Sequence, residues 1–346
     1  MIVDDSAFVR KTVREMLSAN PAIEVVGVAR DGEEALAVVA ELNPDVVTCD
    51  LQMPRLDGVG FVRKQMARRP VPILVLTAAP QDADHVVEAL NAGAVDLVLK
   101  PTALATSDLL AIREQLIEKV TGAGRAALGA LLVPPPAVPT PAVASATVWP
   151  TRPGGALRPE VIVLGISTGG PQALRYLLPL LPADFPVPIA MVLHMPVGYT
   201  ALYAEKLDEL CQIEVREAKE GDALRPGLAL LAPAGRHLQF RRQRDGQVTA
   251  QLTMHPLEKT HRPAVDVLFR SAAEIFGARV LGLVMTGMGD DGTEGAAWVK
   301  AQGGTILTEA EKSCIIYGMP RSVVEAGLSD AAVPLQNMAQ ALFERL

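Results

Sequence analysis

VIVLGISTGGPQALRYLLPLL, residues 161–181, reads as a strand, a tight glycine-rich turn and a helix. Residues 161–166 form a short continuous apolar run, the pattern of a strand buried on both faces of a parallel sheet. Gly165, Gly169 and Gly170 let the backbone turn sharply and come close to a ligand. Helical patterning follows over 171–181. A strand feeding directly into a helix is the repeating unit of an α/β fold, and the same alternation continues on both sides of this stretch.

Ser167 sits at the turn. The helix behind it offers unpaired N–H groups that favour developing negative charge, so a serine there can attack a carbonyl whose oxyanion those groups hold. The stretch alone leaves other readings open: a phosphate cradle, or a serine that merely caps the helix. Residues 165–169 match G-x-S-x-G, but neither G-x-G-x-x-G nor G-x-x-x-x-G-K occurs here. Downstream, strands are expected at 188–193, 228–232, 248–254, 280–286 and 304–308. Helices are expected near 199–211, 264–276, 293–302 and 318–327, with antiparallel character near 228–254. His194 ends the next strand and can act as a base. VLGLVMTGMGDDGTEGA (280–296) is a strand, a glycine-rich loop carrying Asp290 and Asp291, and a helix. Three successive strand ends therefore supply Ser, His and Asp, the set that performs acyl transfer. Their order differs from the Ser…Asp/Glu…His order of the α/β-hydrolases.

Upstream, strands at 1–4, 23–29, 45–49, 72–76 and 95–99 alternate with helices near 7–19, 32–42, 58–68, 82–92 and 107–121. Five such units imply a parallel sheet with helices on both faces. Its strand ends carry Asp4 and Asp5, Asp50, Thr77 and Lys100. Three crowded carboxylates repel one another and call for a divalent cation such as Mg²⁺. Lys100 and Thr77 suit the oxygens of a phosphoryl group. Two domains result, 1–121 and 159–346. Residues 122–158, including LVPPPAVPTPAVASATVWPTRPGG, form a Pro/Ala-rich, semi-extended linker.

Composition excludes several classes. The net charge is −7 with no basic run beyond RRQR at 241–244, read as a solvated loop, so nucleic acid is not an expected partner. No run of about 18 apolar residues is present to span a membrane. The acidic N-terminus lacks the features of a secretory signal. Cys49, Cys211 and Cys314 lie far apart, which suits a reducing compartment. His85 and His237 read as surface residues, and His255 and His261 lack helical metal-ligand spacing.

Residues 1–121 resemble the receiver domain of bacterial response regulators. That resemblance implies a flavodoxin-like five-stranded sheet, Asp50 as phospho-acceptor, Asp4 and Asp5 as its acidic partners around Mg²⁺, and Thr77 and Lys100 as switch residues. Leu97 stands where receivers carry an aromatic residue, which weakens the expected two-state switch, and the chain begins almost inside its first strand. The motifs GISTGG (165–170), HMP (194–196), HRPAVDVLF (261–269), TGMGDDG (286–292) and YGMP (317–320) resemble the protein-glutamate methylesterase family of chemotaxis, CheB. This likeness implies a doubly wound α/β esterase domain with an antiparallel hairpin region. It assigns Ser167 as nucleophile, His194 as base, Asp291 as orienter and the Met288 N–H as oxyanion donor, and leaves Asp290 as a solvated loop acid. Leu193 replaces a glutamine frequent before the family histidine. The implied function is cytoplasmic, phosphorylation-activated demethylation of glutamate esters, and deamidation of glutamines, on methylated chemoreceptors. A chemotaxis-type histidine kinase would be the phosphodonor, the protein a monomer, and the esterase free of any cofactor. The alternative is a receiver-controlled binding module without hydrolysis.

Overall fold

Five short apolar runs of the N-terminal half pair side by side in a single parallel sheet. The computed structural model describes residues 1–77, 83–100, 106–124 and 157–346. The chain divides into two units, Met1–Val133 and Pro134–Leu346. In the first, β1 (Ile2–Val3), α1 (Ala7–Ser18), β2 (Val28–Ala29), α2 (Gly32–Leu42), β3 (Val47–Asp50), α3 (Gly58–Arg68), β4 (Ile73–Thr77), α4 (Ala83–Ala92), β5 (Asp96–Leu99) and α5 (Thr106–Gly124) follow in order. The strand order β2-β1-β3-β4-β5 is the flavodoxin-like arrangement. Ile2, Val3, Val47, Ile73, Leu74, Val75 and Val98 are fully buried in it.

The helices begin where the sequence supplies caps. Ser6 Oγ accepts from the Val9 N–H, Asp31 Oδ1 from those of Glu33 and Glu34, and Asp57 Oδ1 from that of Gly60. Gly58 opens α3 hard against the end of β3: a Cβ there would lie 2.1 Å from the Asp50 carbonyl oxygen. Strand β1 is brief, pairing only two residues with each neighbour. Helix α5 continues three residues past the expected limit at 121. The linker expectation falls mostly on 125–156, outside the described residues.

The second unit runs β6 (Val161–Ile166), α6 (Gly170–Leu177), β7 (Ile189–Leu193), α7 (Thr200–Asp208), β8 (Glu214–Glu217), β9 (Leu228–Leu231), β10 (His237–Arg242), β11 (Val248–Thr253), α8 (Val265–Phe276), β12 (Val280–Val284), α9 (Thr293–Ala301), β13 (Thr305–Glu309), α10 (Met319–Glu325), β14 (Ala331–Val333) and α11 (Leu335–Phe343). Seven strands form an all-parallel sheet, β14-β13-β12-β6-β7-β9-β8. β10 and β11 form a separate antiparallel hairpin. The antiparallel character expected over 228–254 is therefore confined to 237–253, and β9 is a parallel strand of the main sheet. Val161, Val163, Ala190 and Val192 of the sheet share one core with Leu268, Phe269 and Ala272 of α8 and with Leu238 and Phe240 of the hairpin.

One expectation fails at the root of that hairpin. His237 is fully buried. Its Nδ1 accepts the Ala264 N–H at 3.2 Å, and its Nε2 lies 3.1 Å from the Pro256 carbonyl oxygen. Nε2 therefore carries the proton. Burial lowers the pKa of this ring despite the Pro256 contact, which suits a neutral structural imidazole.

Candidate active site

Strand β6 is flanked by β7 on one side and β12 on the other, so the chain reverses its winding direction at β6. In open α/β sheets a ligand site forms in the crevice at such a point, beyond the carboxyl ends of the strands. The register pairs Ile166 with Leu193 and Gly165 with Val284. The residues just past these pairs are Ser167, His194 and the 285–292 loop.

The nucleophile turn is tied at both ends. The Ser167 N–H donates to the Thr286 carbonyl at 3.0 Å, and the Gly170 N–H donates to the Ser167 carbonyl at 2.7 Å. Gly169 has φ +83°, in the left-handed region that favours glycine. The loop after β12 lies directly against the serine: a Cβ on Gly287 would sit 2.8 Å from Ser167 Cβ and 2.4 Å from Met319 Sδ. That loop is also held from the far side. The Gly287 carbonyl accepts the N–H groups of Gly318 and Met319 at 3.1 and 2.9 Å, and the Gly287 N–H donates to the Ile316 carbonyl. Among the described residues the Met288 N–H donates no hydrogen bond. It follows directly on Gly287, which packs against the serine.

His194 Nε2 lies 2.8 Å from Asp291 Oδ2. Asp291 Oδ2 also accepts the Val265 N–H at 2.8 Å, and its Oδ1 accepts the Asp266 N–H at 3.0 Å. The carboxylate therefore sits at the start of α8, where the helix dipole favours negative charge. Burial alone would raise its pKa, but the His194 hydrogen bond and charge and the two amides hold it below the usual carboxylate range. An ionised carboxylate only accepts, so the proton of the neutral imidazole stands on Nε2. Nδ1 is left basic, buried and without a hydrogen-bond partner among the described residues. Asp290 is exposed, as expected of a loop acid. His261, which received no role from the sequence, stacks on His194 with centroids 4.1 Å apart and rings inclined by 20°.

Two further residues brace the site. Thr286 Oγ1 donates to the Thr168 carbonyl at 3.0 Å and accepts the Ile316 N–H at 3.0 Å. It joins the nucleophile turn to the 316–319 segment. The Thr286 N–H in turn donates to Glu309 Oε2 at 2.9 Å. Glu309 ends β13, is fully buried, and accepts Ser313 Oγ at 2.9 Å. Burial pushes its pKa up to about 7 despite these donors. In sequence it is one of several acids in TILTEAEKS, and only its position at a strand end hints at more.

The first unit carries its own cluster. Asp4 and Asp50 are buried and Asp5 is exposed, with one oxygen of each within 4.8 Å of the others. Lys100 Nζ lies 2.7 Å from Asp50 Oδ2 and 3.0 Å from Asp4 Oδ2. Burial raises the Asp50 pKa and outweighs the pairing with Lys100, whereas at Lys100 the two carboxylates outweigh burial and raise its pKa. Three hard oxygen donors facing one ammonium leave net negative charge, and this donor set fits a small divalent cation. Thr77 is buried at the end of β4, one residue past the partner of Asp50. Leu97 is buried on β5.

A flavodoxin-like sheet with an aspartate cluster, followed by a parallel sheet with Ser, His and Asp at its switch point, defines a response regulator whose effector is a hydrolase. The receiver family, "Response regulator receiver domain", matches residues 1–112, and "CheB methylesterase" matches residues 162–342. A protein-glutamate methylesterase/protein-glutamine glutaminase of Myxococcus xanthus is 50% identical over 341 residues, covering 98% of this chain and 95% of that protein. A namesake from Symbiobacterium thermophilum is 41% identical over 356 residues, covering 99% and 95%. The crystal structure of the Thermotoga maritima CheB methylesterase catalytic domain aligns with a TM-score of 0.53 at 39% identity, covering 55% of this chain and all of that one. The chain belongs to the CheB protein-glutamate methylesterase/protein-glutamine glutaminase family. Among the described residues no helix is long and apolar enough to cross a membrane.

Proposed function

We propose that residues 159–346 hydrolyse γ-glutamyl methyl esters on chemoreceptor signalling helices, releasing methanol, under control of a receiver formed by residues 1–121 and joined through 122–158. The observation that carries this reading is the Nε2–Asp291 hydrogen bond, which leaves a buried, basic Nδ1 on His194 at the strand end beside Ser167. Ser167 Oγ attacks the ester carbonyl and forms the new C–O bond as His194 Nδ1 takes its proton. The Met288 N–H receives the oxyanion, since the first amide of α6, that of Gly170, is held by the Ser167 carbonyl and Pro171 has none. Collapse breaks the C–OCH₃ bond, and Nδ1 returns the proton to the departing methoxide, giving methanol. Water, deprotonated by the same nitrogen, then cleaves the acyl-serine to glutamate and free serine. Asp291 stabilises the imidazolium in both halves without itself taking a proton. A glutamine side chain enters the same path with ammonia as leaving group.

In the receiver, Asp50 accepts phosphate from a histidine kinase in the cytoplasm. Asp4, Asp5 and Asp50 would hold Mg²⁺, which supplies charge neutralisation for the transferring phosphoryl group. Lys100 and Thr77 then engage the phosphoryl oxygens. The esterase domain uses only its own side chains and amides.

The test is methanol release from a methyl-esterified chemoreceptor signalling fragment by the full chain. Ser167→Ala should lower the rate by about 10³-fold or more. Release that survives the substitution would remove Ser167 as nucleophile. A folded wild-type chain that releases nothing would favour the binding-module reading.

A further inference from the structure

Helices α8 and α9 both begin without a cap of their own. The residue before α8 is Ala264 and the residue before α9 is Gly292, and neither provides a side-chain acceptor. Each helix takes its cap from the other. Asp291, two residues upstream of α9, accepts the first two N–H groups of α8. Asp266, the second residue of α8, accepts the Gly292 and Gly295 N–H groups through Oδ1, at 2.9 and 2.8 Å. The helices approach closely enough to permit the exchange only because residue 295 is glycine: a Cβ there would lie 2.6 Å from Phe269 Cβ and 2.9 Å from Asp266 Cα. The second oxygen of Asp266 pairs with Lys259 Nζ at 2.9 Å, and Lys259 also reaches Glu294 Oε2 at 2.5 Å.

This exchange bears on the chemistry because Asp291 and Gly292 are neighbours. Whatever fixes the Gly292 and Gly295 amides fixes the loop that aims Asp291 at His194 Nε2. We infer that Asp266 is a positioning residue for the His194–Asp291 pair: its carboxylate holds the start of α9, while Lys259 offsets the repulsion between two acids placed at adjacent helix starts. The inference rests on the hydrolase reading above for its kinetic consequence, though not for its geometric one. It also gives the HRPAVDVLF segment a task beyond packing, since α8 contributes to the acid's setting through two amides and one side chain.

Two conservative changes separate geometry from charge in the full chain. Asp266→Asn keeps an oxygen acceptor for both amides, and asparagine caps helices about as well as aspartate. Asp266→Glu keeps the charge but carries the carboxylate one methylene out of place. The readouts are kcat and KM for methanol release, together with the downfield proton resonance of His194 Nε2–H bonded to Asp291. Asp266→Asn is expected to keep kcat within about threefold of wild type and to retain the resonance, as its intact cap implies. Asp266→Glu is expected to lower kcat about 10- to 100-fold at nearly unchanged KM, the scale of a displacement near 1 Å, and to shift or abolish the resonance. Wild-type kcat and resonance in Asp266→Glu, even with a lowered melting temperature, would overturn the inference. So would loss of both in Asp266→Asn. If the wild type itself shows no Ser167-dependent release, the hydrolase reading fails, and the resonance in the three proteins still decides whether Asp266 sets the Asp291–His194 contact.

Discussion

Glu309 is a glutamate at the end of an inner strand, and among the described residues its hydrogen-bond partners are an amide, a hydroxyl and a thiol, with no cation. Its folded-state pKa is pushed from 4.5 up to about 7 by burial. The folded protein therefore holds a proton that the unfolded chain releases. The stability this group contributes is complete below pH 4.5 and is lost as the pH rises through about 7. Glu309→Gln keeps an acceptor for the Thr286 N–H and has nothing to titrate. Its unfolding free energy relative to wild type should climb between pH 4.5 and about 8 by at most ~3 kcal/mol, read as a widening difference in melting temperature. A difference that stays constant over that range would show that Glu309 does not titrate there. Because Glu309 stands directly behind Thr286, the same residue ties a pH-dependent charge to the backbone that holds Ser167. Its sequence neighbourhood conveys none of this, since burial is a property of the fold and not of the TILTEAEKS string.

At the scale of elements, parallel strands with apolar runs were legible: β6 falls on 161–166 as expected, and β1 to β5 all fall within or at the edge of their expected runs. Among the elements that escaped, β8 (EVRE) and β14 (AAV) are the two edge strands of the seven-stranded sheet, and helix α11 (Leu335–Phe343) was missed as well. One edge face stays wet, so the continuous apolar signal is lost. The hairpin strand β10 (HLQFRR) escaped because its outer end is charged and solvent-facing, and His237 was misplaced with it. The placement of Ser167, His194 and Asp291, the proposed catalytic set, was legible because all three side chains stand just past strand ends. The braces Asp266, Thr286 and Glu309 were not, because the partners they brace lie 23 or more residues away in sequence and meet them only in the fold. The packing of β6 against α8 links element to site. A Cβ on Gly165 would lie 2.3 Å from Val265 Cγ1, and Val265 supplies one of the amides on Asp291. Gly165→Ala should cost about 1–3 kcal/mol by overpacking and lower kcat further than that loss of stability explains. Adding Val265→Ala removes both obstructing methyls and should restore much of the activity, a coupling of about 0.5–3 kcal/mol in a double-mutant cycle. Strictly additive effects would place the Gly165 constraint elsewhere.

On the scale of the whole chain, one topological rule is used twice. In each sheet the polar groups gather beyond the carboxyl ends of strands on either side of the point where winding reverses, at β1 and β3 in the first and at β6, β7 and β12 in the second. Neither set of groups belongs to both sheets, so control of one by the other must pass as a change in population of states rather than as shared chemistry. A phosphoryl group on Asp50 adds charge where Asp4 already crowds it and gives Lys100 a new partner in competition with both carboxylates. Leu97 offers no aromatic ring to follow that change, so the response should lie within ordinary allosteric coupling, about 5- to 150-fold. The measurement is the initial rate of methanol release by the full chain with and without a small-molecule phosphodonor and Mg²⁺. Wild type should accelerate, Asp50→Asn should not, and chelation of the cation should return wild type to its basal rate. Equal acceleration in Asp50→Asn would place the phosphodonor effect at another residue. A flat response in wild type whose Asp50 is demonstrably phosphorylated would mean that the receiver controls something other than turnover, such as recruitment to the receptor.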